Sequence, residues 1–119
     1  MMFNAGIQPQ GAYLLVAASG DAELPELCAL ADFPAAVARY RGATRALFDL
    51  LALRPRLTPD EHVRLGQHIV AALANFERVA VVLAEADDRL AADLAGQQGL
   101  VIRSFATLKE ANDWLVADA

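Results

Sequence analysis

Apolar residues along this chain fall into two patterns: short unbroken runs, and stretches in which they return every three or four positions. The runs are residues 13–18 (YLLVAA), 46–53 (ALFDLLAL), 79–83 (VAVVL) and 100–105 (LVIRSF). Each has the length and apolar content of a buried strand. Ser19, Gly20 and Asp21 are turn formers and are expected to close the first run. A further, weaker strand is expected over residues 1–4. The 46–53 run is apolar on both faces except at Asp49, which predicts a central strand covered on either side.

The spaced patterns predict helices. From Leu24, the positions Leu27, Leu30 and Ala31 define a face, with Pro25 tolerated in the first turn. Pro34 is expected to kink or break this helix near Phe33, because its ring collides with the carbonyl of Leu30. A second piece then runs to Tyr40 and stops at Gly42. Thr58-Pro59-Asp60-Glu61 is a capping box with proline at the first helical position, and Leu65, Ile69, Leu73 and Phe76 form the buried stripe of the helix that follows. After a turn at residues 85–88, Leu90 and Leu94 predict one face of a short helix closed by Gly96 and Gly99. Thr107 and Glu110 repeat the capping pattern, and Ala111, Trp114 and Leu115 predict the inner face of a terminal helix. If Trp114 is a core residue, its truncation to alanine costs about 3–5 kcal/mol.

Strand and helix thus alternate four times, the signature of a mostly parallel sheet built by right-handed crossovers. The chain has 119 residues, 56% of them hydrophobic and 21% charged. That is enough for one core, so a single domain over residues 1–119 is expected. The net charge of −5, with Lys109 the lone lysine, opposes binding to nucleic acid. No apolar run approaches the roughly 18 residues of a membrane span, and no leader pattern opens the chain. With one cysteine, Cys28, no internal disulfide can form. A cytoplasmic location is the expectation.

Catalytic signatures are missing: there is no dinucleotide or phosphate-binding glycine loop and no nucleophile elbow. His62 and His68 are six apart and lie on different helix faces, which does not make a metal pair. Cys28 sits among apolar neighbours with no base to activate it. Asp49, Asp87 and Asp88 follow or interrupt strands, where carboxylates cap helices and bond turns more often than they bind ligands. Arg54 and Arg56 emerge at the end of the central strand and could hold an anion, but Asp60 and Glu61 fill the adjoining helix start and would repel a phosphate. No enzyme, cofactor or metal site is expected.

The segments ALFDLLAL, LTPDE, ERVAVVL, GLVIRSF and TLKEANDWL follow one another over the last two-thirds of the chain. Phe105, Ala111, Trp114 and Leu115 match an F-x-x-x-x-x-A-x-x-W-L ending. In these features the chain resembles the SpoIIAA-like group of STAS-type domains, relatives of the bacterial sporulation anti-anti-sigma factor. The resemblance implies an α/β fold, with a four- to five-stranded mostly parallel sheet and helices mainly on one face, and no enzyme. It also implies a phosphorylatable Asp-Ser-Ser-Gly type motif before the long helix, whereas this chain reads Arg56-Leu57-Thr58-Pro59-Asp60-Glu61. The expected function is a regulatory module that engages a protein partner, or a second copy of itself, through Arg54, Arg56, Thr58, Asp60 and Glu61. The alternative is a carrier of a small apolar, lipid-like ligand held between sheet and helix, with the Pro34 region as a lid.

Overall fold

The computed structural model describes residues 2–117, with Ala86 and Asp87 described in their backbone only. Five strands, β1 (Asn4–Gln10), β2 (Tyr13–Ala22), β3 (Arg45–Pro55), β4 (Arg78–Val82) and β5 (Ile102–Phe105), form one sheet in the order β1-β2-β3-β4-β5. β1 is antiparallel to β2, and the remaining pairs are parallel. The helices are α1 (Leu24–Arg41), α2 (Pro59–Ala72), α3 (Leu90–Gln97) and α4 (Leu108–Val116). This is the expected α/β architecture, with β3 at its centre.

The strand order decides where the helices go. β2 to β5 step across the sheet in one direction, so three right-handed crossovers must place α1, α2 and α3 on the same face. The main core lies there, with Val16, Ala46, Phe48 and Val79 of the sheet under Leu27, Leu65 and Ala95 of the helices. α4 follows the last strand and has no crossover to close. It takes the opposite face, where Ala111 and Leu115 pack on Tyr13, Leu47, Ala80 and Val82. The Tyr13 hydroxyl donates to Asn112 Oδ1 at 2.7 Å and ties α4 back to β2. α4 lies mainly over β3 to β5 and reaches β2 only at its start, and Ala17 and Leu51, farther along β2 and β3 on that face, are exposed.

Several expectations are corrected. The first strand covers residues 4–10, not 1–4, and forms a hairpin with β2. Gln10 pairs with Tyr13, so the loop is two residues long. Gly11 at its first position has φ +62, and among the described residues no non-glycine, Ala12 included, has positive φ, which is the requirement of a type II′ turn. Ser19 to Asp21 do not end β2. The register slips between Ala17 and Ser19, where β3 carries one extra residue between Asp49 and Ala52, and Ser19, Gly20 and Asp21 then pair with Ala52, Leu53 and Arg54 before pairing ends at Ala22.

Helix α1 is one helix that contains Pro34, not two pieces. The proline removes a single backbone donor, while its ring is fully buried and the turns on both sides are held on the core by Leu30, Ala31 and Ala38. Burial outweighs the local penalty. α2 ends at Ala72, so Phe76 reaches the core from the following turn rather than from the helix. In α3 the buried residues are Ala91, Ala92 and Ala95, while Leu90 is exposed. Gly66 of α2 explains this choice of small side chains: a Cβ there would sit 3.1 Å from both the Ala91 carbonyl oxygen and Leu94 Cβ, so the two helices approach closer than leucines would allow. Gly96 lies within α3 rather than closing it.

Candidate binding surface

β3 delivers Arg54 to the carboxyl end of the parallel strands, the side of an open α/β sheet on which ligands are usually met. Arg54 lies opposite Asp21 of β2 in the strand register. One residue past the end of β3, the Arg56 N–H donates to the Ala22 carbonyl at 2.8 Å, and the Arg56 side chain reaches within 3.7 Å of the Asp21 carboxylate. Leu57 then packs against the core. Thr58 opens α2: its hydroxyl accepts from the Glu61 N–H at 3.2 Å, and the Glu61 carboxylate accepts from the Thr58 N–H at 2.9 Å. The capping box expected from the sequence is formed in full. Thr107 shows the contrast. Its hydroxyl accepts from the Glu110 N–H at 3.2 Å and also donates to the Glu110 carboxylate at 2.9 Å, so only half of the expected box closes.

Arg54, Arg56, Thr58 and Asp60 are exposed and Glu61 is half-buried. The five residues proposed from sequence therefore share one short stretch that is tied to β2 at one end and to the helix N-terminus at the other. Asp60 and Glu61 complement the α2 dipole and make this a mixed-charge surface, not an anion cradle.

No protein-family model matches the chain, and comparison with curated proteins gives no match either. Solved structures do match. An anti-sigma factor antagonist from Mycobacterium paratuberculosis superposes with a TM-score of 0.69 at 15% identity, over 98% of this chain and 96% of the other. An uncharacterised protein of the DUF3478 family with a SpoIIAA-like fold, from Shewanella loihica, gives 0.59 at 22% identity, over 95% and 93%. The anti-sigma factor antagonist SpoIIAA in its unphosphorylated form gives 0.55 at 15% identity, over 98% and 100%. This chain has the SpoIIAA-like fold.

The hydroxyl of Thr58 acts as the cap of α2, accepting from the Glu61 N–H. Thr58→Ala is expected to lower stability by about 1 kcal/mol, and Thr58→Asp to lower it little, because aspartate caps at least as well. For a chain of this length 1 kcal/mol is a melting shift of a few degrees. Unchanged melting of Thr58→Ala, with partner binding lost only in Thr58→Asp, would overturn the capping role in favour of a phosphate switch.

Other candidates do not join this surface. Asp49 faces the α4 side of the sheet, where its carboxylate accepts from the Leu51 N–H at 3.3 Å. The side chain of Asp87 lies outside the described residues. His68 contacts Asp32 of α1 at 2.7 Å. Burial raises the Cys28 thiol above its ordinary pKa and the Asp32 carboxylate adds to the shift, which disfavours the reactive thiolate.

Sequence reasoning missed an apolar cavity of about 80 Å³ between the sheet and α1, α2 and α3, whose lining includes Leu27, Phe48, Leu65 and Leu83. His62 and Asp88 are its two polar lining residues, and His62 Nδ1 is buried there with no protein hydrogen-bond partner. No local pattern in the chain signals such a space, because its lining comes from segments far apart in sequence, from Leu27 to Ile102. At about 80 Å³ this cavity is well short of the roughly 300 Å³ expected of a ligand carrier.

Proposed function

We propose that this protein is a non-enzymatic regulatory module that binds a protein partner through Arg54, Arg56, Thr58, Asp60 and Glu61. The observation that carries the reading is the fixed presentation of this stretch. Backbone bonding of Arg56 to Ala22 and the closed capping box hold the main chain, while the charged side chains of Arg54, Arg56 and Asp60 stand in solvent. A surface ordered before it meets its partner loses less entropy on binding. Exposed arginines supply forked donors suited to carboxylates on a partner, and the acidic helix start gives register to the contact. The likeness of fold to anti-sigma factor antagonists supports the same kind of role, acting by association rather than by chemistry.

The test is comparative affinity capture from the source cell. Wild-type bait and an Arg54→Glu/Arg56→Glu bait are run beside a control bait carrying Lys109→Glu on the far side of the sheet. A protein retained by wild type and by the control, but reduced at least about tenfold on the double variant, is the expected result. Equal retention on all three baits would remove this surface from the reading.

A further inference from the structure

Helix α1 is apolar on two sides. Leu27, Leu30, Ala31, Pro34 and Ala38 face the sheet and are buried. On the other side Ala29, Phe33, Ala36 and Tyr40 are all exposed, Phe33 by 59% and Tyr40 by 95%. They are spaced by four, three and four residues, the a/d spacing of a coiled-coil seam, and at about 100° per residue they fall within an arc of about 60°. Beside Phe33, an open apolar groove of about 260 Å³ is lined by Phe3, Ala5 and Ile7. A row of aromatics left in water next to an apolar groove marks an interaction surface.

Charge and size along α1 say what fits this seam. Glu26 and Asp32 lie in the N-terminal part of the helix, while Arg39 and Arg41 lie in its last turn. Take two copies running antiparallel about a two-fold axis midway between Phe33 and Ala36. Ala29 then meets Tyr40 of the partner subunit and Phe33 meets Ala36 of the partner subunit, so each aromatic faces an alanine. The same operation sets Asp32 beside Arg39 of the partner subunit and Glu26 near Arg41 of the partner subunit. A parallel pair would stack like on like along the seam, with Phe33 against Phe33 of the partner subunit and Tyr40 against Tyr40 of the partner subunit. We propose that the protein self-associates through the exposed seam of α1 as a two-fold, antiparallel helix pair. The interface is isologous, so it closes at a dimer. A seam of four residues buries less than the roughly 800 Å² per partner of a standard interface, and the dimer is therefore weak and reversible. It uses a surface separate from Arg54 and Arg56, so Arg54→Glu/Arg56→Glu leaves it intact whether or not the partner reading holds.

Sedimentation velocity from micromolar to near-millimolar concentration tests this, with circular dichroism to show that each variant is folded. The wild type is expected to show a reversible monomer–dimer equilibrium. Phe33→Asp is expected to weaken it about tenfold or more. Asp32→Arg and Arg39→Asp should each weaken it, while the double exchange Asp32→Arg/Arg39→Asp should recover it. The double variant has also lost the contact of Asp32 with His68 of its own chain, so recovery reports the intermolecular pair alone. A wild type that stays monomeric throughout, or a dimer untouched by Phe33→Asp, overturns the proposal. A double exchange that fails to recover overturns the antiparallel register.

Discussion

Truncating Leu115 to alanine is expected to lower stability by about 3 kcal/mol, near the middle of the range for leucines lost from packed cores. Leu115 is 0% exposed and, with Ala111, seats α4 on Leu47, Ala80 and Val82. Among the described helices only α4 covers this face of the sheet. The site cannot collapse onto a second layer, which keeps the cavity cost high. The expected fall in melting temperature is on the order of 10 °C. Trp114 makes a useful contrast. It is only partly buried, at the rim of the same cluster, with its ring centroid 5.7 Å from that of Phe105 and the Arg78 and Arg103 guanidinium groups 5.7 and 5.6 Å from its own. Ring and cation contacts of this kind at a half-exposed site contribute about 0.5–1.5 kcal/mol each. Trp114→Ala should therefore cost less than Leu115→Ala, and less than the 3–5 kcal/mol of a core tryptophan that the sequence suggested. Urea unfolding of the two variants at one pH ranks them. If Trp114→Ala proves the more damaging, the anchor of α4 has been misassigned.

The elements legible in the sequence were those whose signals are local. β3 and β4 announce themselves by apolar runs too short for helices, and the start of α2 by four consecutive residues whose side chains close their own hydrogen bonds. β1 was misplaced because its sequence, NAGIQPQ, has neither alternation nor β-branched content beyond Ile7. It is a strand because β2 offers it an edge. Pro34 was misjudged by a rule that weighs one helix in isolation, whereas the energy that decides is burial against the sheet. The binding stretch was readable as far as Thr58 and Glu61, which are neighbours in sequence. Its tie to Ala22 and Asp21 spans more than thirty residues and depends on β2 continuing past the bulge. The seam on α1 was hidden for a related reason. That helix is apolar nearly all round; Leu27, Leu30 and Ala31 were legible as its inner face, but only the fold shows that a second apolar stripe is left uncovered.

Removing the two arginines under the end of α4 should be the other large effect. α4 has no basic residue in its last turn, so the carbonyls at its carboxyl end lack the local partners that helices usually recruit. Arg45 and Arg78, neighbours across the β3–β4 ladder, fill that role from the sheet. Arg45 donates to the Leu115 carbonyl at 2.7 Å, and Arg78 donates to those of Trp114 and Ala117 at 2.9 and 2.6 Å. Their charges also complement the negative end of the helix dipole. Arg45→Met and Arg78→Met keep most of the apolar stem while removing the donors. Each should cost about 2 kcal/mol, the scale of a hydrogen bond to a charged group, and the pair about 3 kcal/mol or more, short of additive because they serve one helix end. The pH dependence separates their roles. Arg45 also bonds the Glu77 carboxylate at 2.7 Å, and this bond, followed by the charge of Arg45, holds the Glu77 carboxyl below its ordinary pKa. A carboxylate with a depressed folded-state pKa contributes stability above its unfolded pKa, and that contribution is lost as the pH falls through the folded value. The cost of Arg45→Met should therefore be larger at neutral pH than in acid, once Glu77 is protonated. Arg78, whose hydrogen bonds go to carbonyls that do not titrate and whose charge is a lesser influence on Glu77 than that of Arg45, should show a cost that changes less. Urea unfolding of both single variants at neutral pH and below a pH of about 3 makes the comparison. Equal pH dependence in the two would show that Glu77 is not coupled to Arg45, and a double variant as stable as wild type would show that water serves the end of α4 as well as the arginines do.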